Sequence, residues 1–245
     1  MPAEKGLLRR FAVYQAERFP LGVYALLMAV LAAGAVGWTQ AARAAAEPYP
    51  WAALGVAFVA LLGFFFQLRV ADEYKDYETD RAHRPYRPVP RGVIRLRELA
   101  WMAVAAGVLQ ALLTLWLAPA LLWALLAVWG YMALMRWEFG VGGWLHGQPL
   151  LYMLSHMVAL PLIFVYATAC VWLAAGEHAP AGLGWLLATA YANGVVFEVG
   201  RKLRAPIDEE PGVETYSRLW GIPRATAVWW VALALAGVCA TLAGR

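Results

Sequence analysis

Long, nearly unbroken apolar runs alternate along this chain with short charged segments. A helix rises about 1.5 Å per residue, so crossing about 30 Å of hydrocarbon takes about 20 apolar residues. Seven runs approach that length: Leu21–Ala42, Trp51–Leu68, Leu99–Leu117, Ala120–Met135, Leu150–Ala174, Leu183–Phe197 and Ala225–Leu242. Only Ala118 and Pro119 separate the third from the fourth, which predicts a tight helical hairpin, since a proline ends one helix and can open the next. The pattern predicts an all-α integral membrane protein of about seven transmembrane helices. It forms a single domain over residues 1–245, without a soluble domain, low-complexity tract or clear repeat.

Composition agrees. Of 245 residues, 62% are hydrophobic and only 15% charged, against about 25% charged in soluble domains. A water-soluble core of this size cannot hide that surplus, and lipid can. The first residues carry Lys5, Arg9, Arg10 and Arg18 and lack a short apolar run with a small-residue cleavage site, so they do not read as a cleaved signal peptide. Cys170 and Cys239 lie inside apolar runs and read as packing residues. The net charge of +4 resides in side chains that flank the apolar runs, which argues against a nucleic-acid partner.

Basic residues orient the helices. With the N-terminus in the cytoplasm, 18 of the 20 lysines and arginines fall on the cytoplasmic side, all but Arg43 and Arg245, and the C-terminus lies on the opposite side. An even helix count would spoil this alternation. Fourteen of the 16 acids share the cytoplasmic side, all but Glu47 and Glu177. Acids contribute little to orientation, so their concentration at one face asks for a chemical reason.

The densest acids follow the second run: Arg69-Val-Ala-Asp72-Glu-Tyr-Lys75-Asp76-Tyr-Glu-Thr-Asp80-Arg-Ala-His-Arg84-Pro-Tyr-Arg87-Pro-Val-Pro90-Arg-Gly92. If the helix continues past Arg69, residues 72, 76 and 80 stand one turn apart on one face. Like charges at that spacing destabilise a bare helix, and a cation can hold them together. Mg²⁺ takes oxygen ligands and often completes its shell with substrate phosphates. The prolines and Gly92 fold the end of the segment back as a loop carrying Arg84 and Arg87, whose planar guanidinium groups suit phosphate oxygens. The plainer reading is a solvated loop whose acids and bases pair with one another.

The pattern Asp72-x3-Asp76-x3-Asp80, followed by Arg84-Pro-x-Arg87-Pro-x-Pro-x-Gly92, resembles the first aspartate-rich motif of the UbiA superfamily of intramembrane prenyltransferases. Members commonly have Asn at the first position; Asp72 keeps an oxygen ligand there. The motif follows helix two in that family, as it does here, and helix order extends the likeness over most of the chain. The resemblance implies a UbiA-like helical bundle with a central cavity, Mg²⁺ held by these acids, and an isoprenyl diphosphate donor.

The family carries a second aspartate-rich motif after helix six. Asp208, Gly212, Ser217 and Gly221 resemble its end, and Glu198 lies near its first aspartate if one residue is deleted. Arg201, Lys202 and Arg204 stand where acidic and aromatic residues are usual. They read either as diphosphate or acceptor ligands or as ordinary positive-inside anchors. Members usually have nine helices, so a chain of about seven implies a smaller chamber, one completed by another subunit in an oligomer, or lost activity.

Tyr131-x4-Arg136 weakly resembles a Tyr and basic pair of the family, with Arg136 reaching phosphate or anchoring topology. Ser155 and His156 lie inside the fifth run, where polar groups usually face the bundle interior. His156 is expected either to bond between helices or to orient an acceptor or act as a base. Asn193 lines the cavity or bonds to backbone. The 13 tryptophans lie mostly near helix ends, as in an interfacial belt.

Taken together, the resemblance implies Mg²⁺-dependent transfer of a prenyl group to a small, hydrophobic or aromatic acceptor in contact with membrane lipid. The protein would lie in the bacterial or archaeal cell membrane, its site facing the cytoplasm. Asp72, Asp76, Asp80, Glu198 and Asp208 would hold the metal, with Asp72, Asp76, Asp80 and Glu198 central to catalysis. Arg69, Lys75, Arg84, Arg87, Arg136, Arg201, Lys202 and Arg204 would bind substrate. Two rivals remain: a membrane terpene cyclase or diphosphate lyase with the same ionisation and no acceptor, and a cation transporter using Glu198, His156 and the acid cluster.

Overall fold

Each apolar run becomes helix because its backbone polar groups, deprived of water, must be satisfied within the segment. A computed structural model describes residues 6–43, 48–210 and 212–245, and all its regular structure is helical. Lys5 and Glu47 lie outside the described residues. In chain order the helices are α1 (Leu7–Arg18), α2 (Leu21–Ala42), α3 (Trp51–Lys75), α4 (Tyr77–His83), α5 (Leu96–Leu117) and α6 (Leu122–Arg136). There follow α7 (Gly142–His146), α8 (Pro149–Met157), α9 (Ala159–Trp172), α10 (Leu183–Arg201), α11 (Tyr216–Trp220) and α12 (Ile222–Ala243).

Six helical segments are long and apolar enough to cross a membrane: α2, α3, α5, α6 with its leading 3-10 turn, the joined α8 and α9, and α12. The sixth expected run lies within α10, which has the length but carries Asn193, Glu198 and Arg201, and does not count among the six. The hairpin expected at Ala118-Pro119 forms, with Pro119 opening the 3-10 turn that leads into α6.

α3 is the central helix, packed by α2, α5 and α9. Small side chains make the approach close: Ala32, Ala35 and Val36 of α2 and Ala53, Val56, Ala57 and Ala60 of α3 are all buried in one cluster. Small residues let apolar helices reach van der Waals contact where lipid removes the usual hydrophobic drive. A second cluster forms where Tyr14 and Phe19 of the α1 segment meet Phe66 and Val70 of α3. Two ion pairs hold α1 there: Arg10 grips Glu98 through both guanidinium nitrogens at 2.7 Å, and Arg18 reaches buried Glu73 at 2.7 Å. A third cluster joins α8, α10, α11 and α12.

The fifth run is broken. Pro161 has no N–H, and its ring crowds the carbonyl four residues back, so α8 stops at Met157 and α9 restarts at Ala159. Val158 N–H turns instead to Ser155 O at 3.4 Å. Hydroxyls from neighbouring helices take the disturbed carbonyls: Tyr191 donates to Leu154 O at 3.0 Å and Tyr131 to Ser155 O at 2.5 Å.

The two ends of the bundle are chemically distinct. At one, Arg43 pairs with Glu177 at 2.5 Å, and Trp38 Nε1 donates to Ala243 O at 2.8 Å beside Gly182, which opens α10. The other end gathers the C-termini of α3 and α10 and the start of α8, with most of the charge.

Candidate functional site

α3 runs beyond Leu68 to Lys75 and is interrupted at Asp76 (φ −87°, ψ 0°) before α4 begins. Backbone N–H bonds from Asp76 to Asp72 O (2.8 Å) and from Asp80 to Asp76 O (2.7 Å) carry the chain through the break. The three aspartates therefore remain one turn apart, but their surroundings differ. Asp80 is 2% exposed and clamped by two arginines, Arg84 at 2.9 Å and Arg87 at 2.6 Å. That fork folds the Arg-Pro loop back onto α4, so Arg84 and Arg87 serve the loop. Asp72 is 56% exposed, with Arg69 at 3.8 Å. Asp76 is half-buried and bonded to no arginine or lysine among the described residues.

The end of α10 meets this face. Glu198 pairs with Arg201 at 2.5 Å and Lys202 at 3.1 Å, both from its own helix end. Arg201 acts electrostatically on Asp72, together with Asp76, Lys75 and Arg69. Lys202 Nζ stands 5.2 Å from the Tyr216 ring, and burial next to Glu198 pushes the Tyr216 hydroxyl's pKa up. The two motif segments touch at the end of α4. Gly212, at φ +73°, lies so close to the His83 imidazole that a Cβ would fall 2.6 Å from Cδ2.

Arg204 and Asp208 lie apart from this cluster, within the following loop. Arg204 pairs with Glu210 at 3.0 Å and donates to the Asp208 carbonyl, and the Asp208 side chain is exposed. Glu209 anchors that loop. The Thr215 hydroxyl, and also that of Ser217, donates to its carboxylate and holds it below the usual carboxylate range. Arg136 is exposed at the end of α6. Among the described residues no three His, Cys, Asp or Glu side chains gather as a metal cage.

Sequence reasoning assigned no role to Glu138, His146 and Tyr152, which wall the same end. Glu138 accepts from Lys75 at 2.6 Å and His146 at 2.8 Å. Lys75 also bonds the Tyr152 hydroxyl, and its ammonium sits 4.6 Å from the Tyr152 ring. Tyr152 stacks on His156 at 4.0 Å and on His146 at 5.6 Å. The sequence signal was present in part: Tyr152 precedes His156 by one helical turn, and Glu138 follows Arg136 in the same loop. His156 bonds within its own helix, to Tyr152 O at 2.8 Å, and among the described residues makes no bond between helices.

The fold and site define a helical bundle of membrane-spanning dimensions with carboxylates and cations facing one another at one end. No protein-family model matches the chain, and no curated protein matches it.

Proposed function

We propose that this protein is an intramembrane prenyltransferase of the UbiA type, using Mg²⁺ to transfer a prenyl group from an isoprenyl diphosphate to an electron-rich acceptor. The observation that carries the reading is the pair Asp72 and Asp76, not clamped by two arginines as Asp80 is, with Arg201 and Lys75 acting on Asp72 at the mouth of an apolar bundle. Mg²⁺ is commonly held by one or two carboxylates plus substrate phosphates, and two available carboxylates suit that donor set. Bound there, the metal would neutralise charge on the departing diphosphate.

Arg201, Lys202 and Lys75 add cationic groups that stabilise the same charge as the C–O bond ionises. Asp80, Arg84 and Arg87 hold the Arg-Pro loop against α4, one turn beyond the pair. The hydrocarbon tail lies among the apolar helices, where exclusion of water protects the allylic cation until the acceptor traps it. α10 acts as the seventh span, which puts the N-terminus and the site in the cytoplasm, with most lysines and arginines, and the C-terminus opposite. The test is diphosphate release from a panel of prenyl diphosphates by the purified protein with Mg²⁺, with and without acceptors. Asp76→Asn is expected to abolish it, and unchanged turnover would sink the assignment. Product formed from donor alone would favour the cyclase or lyase chemistry.

A further inference from the structure

His156 is held with unusual definition for a polar residue at a helix break. Its Nδ1 lies 2.8 Å from Tyr152 O. A carbonyl oxygen has no proton to give, so Nδ1 carries the hydrogen and, in the neutral ring, Nε2 carries the lone pair. Two aromatic faces hold the ring: Tyr152 stacks at 4.0 Å and 17°, and Phe139 meets it edge-on at 5.8 Å and 88°. The Tyr131 and Tyr191 hydroxyls fix the backbone on either side through Ser155 O and Leu154 O. Lys75 of α3, Glu138 of the loop after α6 and Glu198 of α10 act on the ring electrostatically, which puts it at the same end as Asp72.

We infer that His156 is the general base of the transfer step, taking through Nε2 the proton that the acceptor loses. This rests on the prenyltransferase reading. In the step the C–O bond of the donor breaks and its electron pair leaves on diphosphate. The acceptor's nucleophilic atom forms a bond to the prenyl carbon, and the acceptor's proton moves to His156 Nε2. Donor ionisation needs no base, so His156 acts on one half of the reaction only. A base must come within hydrogen-bond reach of the proton it takes, and that condition places the acceptor against the Tyr152–His156 stack.

The experiment uses the full-length protein in lipid nanodiscs with Mg²⁺ and a prenyl diphosphate. The acceptor is whichever compound the wild type prenylates fastest in a panel of phenols and long-chain alcohols. The readout is the ratio of prenylated acceptor to diphosphate released. His156→Gln is expected to lower that ratio about 100-fold or more, and to remove the rise of the ratio with pH that the wild type is expected to show. His156→Ala is expected to regain transfer when imidazole is added. An unchanged ratio in His156→Gln overturns the inference, as does joint loss of transfer and release without imidazole rescue. A wild type that releases no diphosphate from any donor overturns the prenyltransferase reading and the inference with it.

Discussion

Gln67 of α3 donates through Nε2 to Oε1 of Gln110 on α5 at 2.9 Å, and each amide lies over a glycine of the other helix. A Cβ at Gly63 would fall 2.7 Å from Gln110 Nε2, and one at Gly107 would fall 3.2 Å from Gln67 Nε2. Gln110 also donates to Ala60 O at 2.8 Å. Two helices that share no hydrophobic drive in lipid are thus locked by reciprocal amide-over-glycine contacts.

Gly63→Val is therefore expected to destabilise the protein more than Gln110→Leu. The valine both evicts the Gln110 amide and overpacks the interface. The lost bonds cost about 0.6 kcal/mol each, and overpacking adds about 1–3 kcal/mol. Unfolding of both variants in the same mixed micelles measures the order. A Gln110→Leu loss equal to that of Gly63→Val would show that the glycine contact contributes nothing.

Asp76 and Asp80 are expected to fail differently when changed to asparagine. Asp80 is a buried anion under two arginines, and removing one partner of such a group costs about 3–5 kcal/mol. Asp80→Asn should lower thermal stability and expose the Arg-Pro loop to protease. Asp76→Asn should leave stability near wild type and abolish Mg²⁺-dependent diphosphate release. Equal effects of the two changes on Mg²⁺ dependence would return Asp80 to the metal site.

The contrast between these two aspartates marks the limit of what was legible in the sequence. Run lengths sufficed for the apolar helices, because hydrocarbon thickness sets a length that any reader can count. Spacing of four put Asp72, Asp76 and Asp80 in line, and the backbone bonds keep them so. What spacing could not supply was the partner of each. Arg84 reaches Asp80 across one helical turn, but Arg87 reaches it only through the turn at Pro85 and Tyr86, and Glu138 meets Lys75 from over 60 positions away. The break at Val158 was readable in principle from Pro161, yet the run around it is long and apolar enough to count as one span. The amphipathic α1, tied by Arg10 and Arg18, was counted only as charge.

Gly212 is expected to tolerate no side chain. Its φ of +73° disfavours any Cβ, and His83 fills the space that one would need. Gly212→Ala should cost about 1 kcal/mol or more and loosen the contact between the two motif segments. Adding His83→Ala should relieve the collision but not the backbone strain, so it should restore only part of the loss. Limited proteolysis between residues 203 and 214 reports the loosening. Full restoration by the double change would mean that the backbone conformation itself carries no cost.

The loop after α6 is held in an unfavourable shape by one carboxylate. Glu138 (φ 49°) and Phe139 (φ 56°) both occupy the left-handed region, followed by Gly140 at φ 73°, and such non-glycine residues cost about 1–3 kcal/mol each. Glu138 offsets that by bonding Lys75 and His146. Gly142 allows it, since a Cβ there would collide with the Glu138 carboxylate. Burial pushes the Glu138 carboxyl up, but the bonds and charge of Lys75 and His146 outweigh it and hold the group below its usual range. A carboxyl lowered in the folded state stabilises fully above its unfolded value of about 4.3 and loses that stabilisation as pH falls through the lower folded value. Hydrogen-exchange protection over residues 137–147 should therefore stay level from neutral pH down to the carboxylate range and fall below it. Glu138→Gln should show the loosened loop at every pH, because the amide keeps the shape but not the charge. If Glu138→Gln matches the wild type at pH 7, the ion pair does not hold the strained turn, and packing of Phe139 against Tyr131 and His156 must hold it instead.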